Sequence, residues 1–170
     1  MQRAMAHTYS LSSRISLNNG LSMPRIHLGV YLMSGTEANT AVGHALDVGY
    51  RAVDCAQMYR NESQVGSAIL SWLKQHPEVK REDVHYTTKL ASNSTSYETA
   101  KKSIKESVER CGLGYVDLFL LHSPYGGKRA RLESWRALED AVEEGWVKSA
   151  GVSNFGEKHV SPSTECHGKV

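Results

Sequence analysis

The sequence predicts an α/β fold of the (β/α)8 TIM-barrel type, incomplete in this chain, with an N-terminal hairpin, about five parallel strands and about four to five helices. Two observations lead to this prediction. Apolar runs typical of strands alternate with segments of helical periodicity, which favours right-handed βαβ crossovers and a parallel sheet. Polar residues also follow successive apolar runs at separations of 35, 33 and 31 residues, which is about one βα unit each time.

The N-terminal half contains the hairpin and the first βα units. The Asn-Gly pair in "RISLNNGLSMPRIHLG" supplies the positive φ angles of a tight hairpin turn. "TEANTAVGHALDVG" has apolar residues at helical spacing and ends near Gly49, and "RAVDCA" then predicts a strand. The next helix has Asn61 as its N-cap and Pro77 just beyond its end. Its apolar stripe consists of Val65, Ala68, Ile69, Trp72 and Leu73.

The C-terminal half repeats this alternation. "DVHYTTKL" and "YVDLFLLH" predict strands on either side of a helix that runs from about Ser96 to Cys111 and stops at Gly112. A fourth helix closes at Gly145, and "VKSAGVSN" predicts the fifth strand. The residues that mark that helix are Leu132, Trp135, Leu138 and Ala141.

Composition and charge exclude several classes of function. The 20 basic and 18 acidic residues are scattered and give a net charge of +2, so no basic stripe indicates nucleic acid and no polybasic segment indicates a membrane surface. Cys55, Cys111 and Cys166 lack CxxC spacing, which disfavours a disulfide framework or a zinc site. No apolar run is long enough to span a bilayer, so we expect a soluble, cytoplasmic protein that acts on a small molecule or a protein partner.

The polar residues at the strand ends favour a barrel over an open sheet. They are Asp54, Lys89, His122 and the pair Ser153-Asn154. A barrel builds its active site at the C-terminal rim from several strands, whereas an open sheet binds its ligand at one switch point. No GxGxxG follows the first strand. We therefore expect these residues on one rim.

Asp54, Tyr59, Lys89 and His122 form a set suited to donating a proton to a carbonyl group. A phenol holds its proton too tightly to exchange it readily at neutral pH, and a nearby ammonium group favours the phenolate. Lys89 would supply that ammonium, and the carboxylate of Asp54 would keep it charged. His122 would orient the carbonyl oxygen from the other side. The set contains no nucleophile for acyl transfer and no metal-ligand cluster.

Each of these residues also has an ordinary structural interpretation. Asp54 suits a turn, Lys89 a protein surface and His122 a strand-end hydrogen bond, while Ser153-Asn154 could cap a helix. Cys55 is expected to be a small buried thiol.

Five segments resemble consecutive signature blocks of the aldo-keto reductase family: "MPRIHLGVY", "GYRAVDCAQMYRNESQVG", "REDVHYTTKL", "VDLFLLHSP" and "GVSNFG". The resemblance runs from the hairpin to Phe155. It implies an NADP(H)-dependent barrel that reduces aldehydes or ketones with NADPH, in which Tyr59 is the general acid and Asp54, Lys89 and His122 complete the catalytic tetrad.

The same resemblance assigns binding roles. Ser153 and Asn154 would hydrogen-bond the nicotinamide carboxamide, with Asp54 also at the cofactor site. Tyr31, at a position where many members of the family have Trp, would line the substrate pocket together with His122. No residue is assigned to a metal.

The length of the chain limits this assignment, because a complete barrel needs about 250 residues. Residues 1–155 are predicted to form the N-terminal part of the barrel and residues 156–170 a divergent, irregular tail. We expect a truncated isoform, a product of frameshift or mis-splicing, or a fragment, among which the sequence does not choose. The implied family elements beyond this point grip the cofactor phosphates and select the substrate.

Three functions stay open on the sequence alone. The first is an active carbonyl reductase. The second is a catalytically inactive fragment that self-associates through its open sheet edges or binds a full-length partner. The third is a non-enzymatic regulatory subunit on the same fold.

Overall fold

The computed structural model describes residues 9–160, which form a short antiparallel hairpin and a five-stranded parallel sheet flanked by helices. The hairpin strands are β1 (Arg14–Ser16) and β2 (Ser22–Pro24). The parallel strands are β3 (Leu28–Gly29), β4 (Ala52–Asp54), β5 (His85–Leu90), β6 (Val116–Leu121) and β7 (Val147–Val152). The predicted hairpin and the five predicted parallel strands are confirmed.

Helices connect the parallel strands in the order that the sequence predicts. They are α1 (Gly35–Asp47), α2 (Glu62–Gln75), α3 (Tyr97–Cys111), α4 (Gly127–Glu143) and the single turn α5 (Glu157–Val160). Two short 3-10 turns lie at Gln57–Tyr59 and Arg81–Asp83. Local chemistry sets the boundaries: Ser34 and Glu37 form a capping box at α1, and α3 ends at Gly112 in the left-handed region at φ 70°.

The order of strands and helices identifies the architecture. Neighbouring strands in the sheet follow the chain order from β3 to β7, and every pair is parallel. The helices also pack in chain order, α1 on α2, α2 on α3 and α3 on α4. A doubly wound sheet would reverse its strand order at a switch point, whereas a barrel keeps it. The sheet is therefore part of a (β/α)8 barrel, and it is incomplete at five strands.

The hydrophobic core lies between the helices and the outer face of the sheet. Its largest fully buried apolar side chains include Tyr86 and Phe119 from the strands and Leu46, Ile69 and Ile104 from the helices. All six residues of β5 are buried, because this central strand is covered on both faces. The core holds β5 in place and so fixes the position of Lys89 near its end.

The cap of α2 differs from the sequence-based prediction, and α4 has an apolar side that is only half-buried. Asn61 occupies the N-cap position of α2, but its side chain makes no capping hydrogen bond and instead reaches the carbonyl oxygens of Val30 and Met33. In α4, Leu132 and Trp135 are only half-buried and line an apolar groove of about 230 Å³. The buried stripe of that helix consists of Ala130, Ser134, Ala137, Leu138 and Ala141.

The hairpin lies at the end of the sheet opposite the C-terminal rim. Asn19 Nδ2 donates to Ser149 Oγ at 2.9 Å and to the Lys148 carbonyl at 3.2 Å, near the start of β7. At the start of β5, the ring of His85 meets that of His27 edge-on, with centroids 5.4 Å apart. These contacts cover the N-terminal ends of the strands and leave the C-terminal rim accessible.

Three further predictions concern the edges of the sheet, the C-terminal tail and the absence of a membrane-spanning segment. Among the described residues, β3 and β7 each pair on one side only, and self-association through these edges stays a prediction. The domain boundary at residue 155 also stays a prediction, since α5 lies beyond it and residues 161–170 are outside the described range. Across residues 9–160, no helix has the length and apolar character needed to cross a bilayer.

The close approach of α2 and α3 generates the first test. A Cβ atom at Gly66 would lie 1.7 Å from the carbonyl oxygen of Cys111, so Gly66→Ala must push the helices apart. We expect a loss of about 1–3 kcal/mol in the free energy of unfolding, measured by urea denaturation. Gly43→Ala in α1 is the matched control, because its Cβ would meet nothing within 4 Å. That variant should gain up to about 1 kcal/mol, and equal effects of the two would refute the packing argument.

His85 generates a prediction for stability against pH. Burial, followed by the neighbouring His27, Arg14 and Arg81, lowers the pKa of His85 to about 3. Between roughly pH 3 and 6.5 the unfolded chain therefore binds more protons at this site than the folded chain. This contribution to stability is present above pH 6.5 and is lost as the pH falls, with a slope of at most about 1.4 kcal/mol per pH unit. Acid titration of His85→Phe should show a shallower loss than the wild type.

Candidate active site

The predicted rim residues come together at the C-terminal ends of the strands. Asp54 is the last residue of β4, Lys89 is the penultimate residue of β5 and His122 directly follows β6. Ser153 and Asn154 directly follow β7. The parallel register places all these ends on one edge, as the spacing along the chain predicts.

A tight turn brings Tyr59 to the same edge. After β4 the chain forms the 3-10 turn Gln57–Tyr59, which ends with Arg60 in the left-handed region at φ 59°. The reversal directs the phenol toward Lys89, whose Nζ donates to Tyr59 Oη at 3.4 Å. The turn therefore gives Tyr59 a place at the rim although it belongs to no strand.

Lys89 carries a buried ammonium group at the centre of the site. Its side chain is only 7% exposed, and Nζ donates to Asp54 Oδ1 at 2.5 Å, to the Cys55 carbonyl at 3.0 Å and to Tyr59 Oη. An ammonium group has three protons to donate, and each of these oxygens can accept one. A buried, unpaired charge costs several kcal/mol, so the Asp54 carboxylate is what allows this charge to lie here.

His122 lies on the other side of the phenol. Its ring meets the Tyr59 ring edge-on, with centroids 6.0 Å apart. Burial and then the positive charge of Lys89 lower the pKa of His122, and Asp54 offsets part of this effect. The imidazole is therefore neutral at neutral pH and has one N–H to donate. Its buried Nδ1 has no hydrogen-bond partner among the described residues.

Tyr31 forms the outer wall of the site. It lies between β3 and α1, and its ring is 5.0 Å from that of Tyr59, centroid to centroid. At 62% exposure it is accessible to a ligand. Its predicted role in lining the substrate pocket stays a prediction.

Ser153 and Asn154 close the rim beside β6. Asn154 has a positive φ of 61°, and its Nδ2 donates to the His122 carbonyl at 2.8 Å and to Ser153 Oγ at 3.1 Å. The pair does not cap α5, which begins three residues beyond Asn154 at Glu157. The helix-cap alternative is therefore wrong, and the pair instead fastens the segment after β7 to the end of β6.

Several supporting contacts at the site are absent from the sequence-based prediction. The Cys55 carbonyl binds Lys89, and Gln57 accepts from the Ala91 amide at 2.8 Å while its Nε2 donates to the Ser103 carbonyl at 3.0 Å. Asn61 holds the loop that carries Tyr31. Cys55, Gln57 and Asn61 all lie in "DCAQMYRNE". Their closeness in sequence to Asp54 and Tyr59 is the one local indication that they lie near the site.

Two further observations concern the thiol of Cys55, which adjoins the site, and the arrangement of metal-ligand residue types. Burial raises the pKa of the Cys55 thiol to about 12, so it stays protonated at neutral pH, as expected of a small buried thiol. Within residues 9–160, no group of three or more His, Cys, Asp and Glu side chains is arranged to hold a metal.

The fold and this site define a portion of a (β/α)8-barrel protein with a tyrosine, lysine and aspartate cluster at its C-terminal rim. The model of the Aldo/keto reductase family matches residues 26–170. The chain belongs to this family.

Individual relatives and solved structures are similar to this chain over most of its length. An uncharacterized oxidoreductase of Schizosaccharomyces pombe is 47% identical, with 94% of this chain and 56% of the relative aligned. Glycerol 2-dehydrogenase (NADP(+)) of Hypocrea jecorina is 37% identical, with 85% and 53% aligned. A crystal structure of a Bombyx mori aldo-keto reductase in complex with NADP is 30% identical, with a TM-score of 0.84 and coverages of 95% and 56%. The chain spans about half the length of the curated relatives it matches.

Asn61 provides a test of how the site is held. Asn61→Ala leaves the Val30 and Met33 carbonyls without this donor, and we expect a loss of about 2–3 kcal/mol in unfolding free energy. Hydrogen exchange should accelerate in residues 31–34, which carry Tyr31. Asn39→Ala removes an exposed amide and should change stability by no more than about 0.5 kcal/mol. Unchanged exchange in the Asn61 variant would contradict this role.

Proposed function

We propose that this chain is an NADPH-dependent carbonyl reductase that converts small aldehydes or ketones to alcohols, with Tyr59 as the general acid. The observation that carries the proposal is the contact series Asp54–Lys89–Tyr59, with a carboxylate on a buried ammonium and that ammonium on a phenol. The family supports carbonyl reduction as the reaction class.

The site residues perform complementary tasks in this proposal. As Tyr59 Oη gives its proton to the carbonyl oxygen, the adjacent Lys89 ammonium stabilises the phenolate that remains. The Asp54 carboxylate accepts a hydrogen bond from Lys89 Nζ and offsets the charge of the ammonium group during this step. The neutral His122 donates a hydrogen bond to the same carbonyl oxygen and orients it, while Tyr31 covers the substrate.

The residues at the end of β7 suit a nicotinamide. The Ser153 hydroxyl and the Asn154 amide offer the donors and acceptors that a carboxamide pairs with, and Asp54 lies on the same rim. When bound, the reduced cofactor supplies the hydride. The NADP in the Bombyx mori structure and in the name of the Hypocrea jecorina relative supports NADPH as the form used. A cytoplasmic location belongs to the same proposal.

Turnover measurements test the proposal. The purified 170-residue chain should oxidise NADPH in the presence of a generic aldehyde, and Tyr59→Phe should lower kcat at least about 100-fold because the transferable proton is gone. NADPH binding, followed by fluorescence, should survive the substitution. Tyr115→Phe is the matched control, since Tyr115 directly precedes β6 and so lies at the end of the sheet opposite the rim. A folded wild-type chain that neither binds NADPH nor reduces aldehydes would refute the proposal.

A further inference from the structure

A second buried charge lies on the helix side of β5. Glu62, the first residue of α2, is 1% exposed. Its Oε1 accepts from Thr88 Oγ1 at 2.6 Å and from Ser107 Oγ at 2.5 Å, and its Oε2 pairs with Arg110 Nη1 at 2.5 Å. One carboxylate therefore joins α2 to the strand β5 and to the helix α3.

Stability alone explains this arrangement poorly. A buried ion pair roughly balances its desolvation cost, and apolar residues of similar volume often replace such a pair without loss. The paired Arg110 side chain is also 44% exposed, which weakens its attraction through solvent screening. What a buried, fully hydrogen-bonded carboxylate does supply is a fixed geometry between the elements it joins.

Those elements are the ones that carry the proton-donating pair. Glu62 follows Tyr59 by three residues, and Thr88 directly precedes Lys89. Successive strand residues point to opposite faces, so the hydroxyl of Thr88 reaches the helices while Lys89 reaches the rim. We propose that Glu62, acting through Thr88 Oγ1, is a positioning residue that sets the distance between Lys89 Nζ and Tyr59 Oη. This inference rests on the proposed role of Tyr59.

The distance concerned is sensitive to small displacements. At 3.4 Å, the contact between Nζ and Oη is already long for a hydrogen bond. A shift of a few tenths of an ångström between the turn and β5 would break it. The bond from Thr88 to Glu62 resists that shift, because it fixes β5 against the first turn of α2.

Two substitutions separate positioning from simple packing. Thr88→Val and Ser107→Ala each remove one hydroxyl from the same oxygen of Glu62, and both side chains are fully buried. A purely structural role predicts equal effects, since both variants lose one bond. Positioning predicts that Thr88→Val lowers kcat about tenfold to a hundredfold with little change in KM, while Ser107→Ala changes kcat less than about threefold.

A conservative pair at Thr88 guards against effects of shape. Thr88→Ser keeps the hydroxyl and should retain most of kcat. Thr88→Ala introduces a side chain nearly as small as serine but without the hydroxyl, and its kcat should be as low as that of Thr88→Val. This pair also serves if Thr88→Val does not fold. A kcat as low in Thr88→Ser as in Thr88→Ala would overturn the inference, because packing would then explain both.

A spectroscopic measurement makes the test independent of turnover. In protein labelled with 13C-tyrosine, the Tyr59 Cζ signal, assigned by its disappearance in Tyr59→Phe, should move in Thr88→Val and stay in Ser107→Ala. If this pattern appears in a chain without turnover, the proposed function fails and the positioning role stands. If the wild type is active but neither kcat nor the Tyr59 signal distinguishes the two variants, the positioning role fails and the proposed function stands.

Discussion

The buried ammonium of Lys89 is the constraint on which the geometry of the site depends. A charge that is 7% exposed must find acceptors inside the protein, and the oxygens that supply them belong to Asp54, Cys55 and Tyr59. These come from the end of β4 and from the turn after it. Satisfying one cation therefore requires β4 to end beside β5 and the chain to reverse within a few residues. The phenol approaches the lysine as a consequence of that reversal.

The barrel architecture makes this arrangement available without any long connection. Parallel strands in chain order bring successive C-terminal ends to one rim, so residues about one βα unit apart become neighbours. The hairpin covers the opposite end, and the helices cover the outer face. Close packing between helices supports the rim indirectly. At Gly66, for example, α2 approaches the end of α3 with no space for a methyl group, and α2 begins three residues after Tyr59.

The sequence predicts those features that have a period or a fixed spacing. The strands, the helices and the positions of Asp54, Lys89 and His122 all follow from such patterns, because burial alternates regularly and βα units have similar lengths. The supporting contacts have no such regularity. Glu62 meets Thr88 26 residues away, and Gln57 meets Ser103 46 residues away, so nothing local in the sequence indicates which partner each residue has. The position of Asn61 predicts a cap for α2, yet its buried side-chain amide instead donates to the carbonyl oxygens of Val30 and Met33.

Two ion pairs, Lys89 with Asp54 and Arg110 with Glu62, are linked to opposite faces of the same short stretch of β5. Lys89 meets Asp54 on the rim side, and its neighbour Thr88 meets the Glu62–Arg110 pair on the helix side. Each pair adds a contact from one face to the restraint that the core and the neighbouring strands already place on β5. Together, the contacts of the adjacent residues Thr88 and Lys89 restrain β5 from both faces. Charges held in this way need little reorganisation when a neighbouring group changes its protonation, and electrostatic stabilisation of a phenolate requires that property.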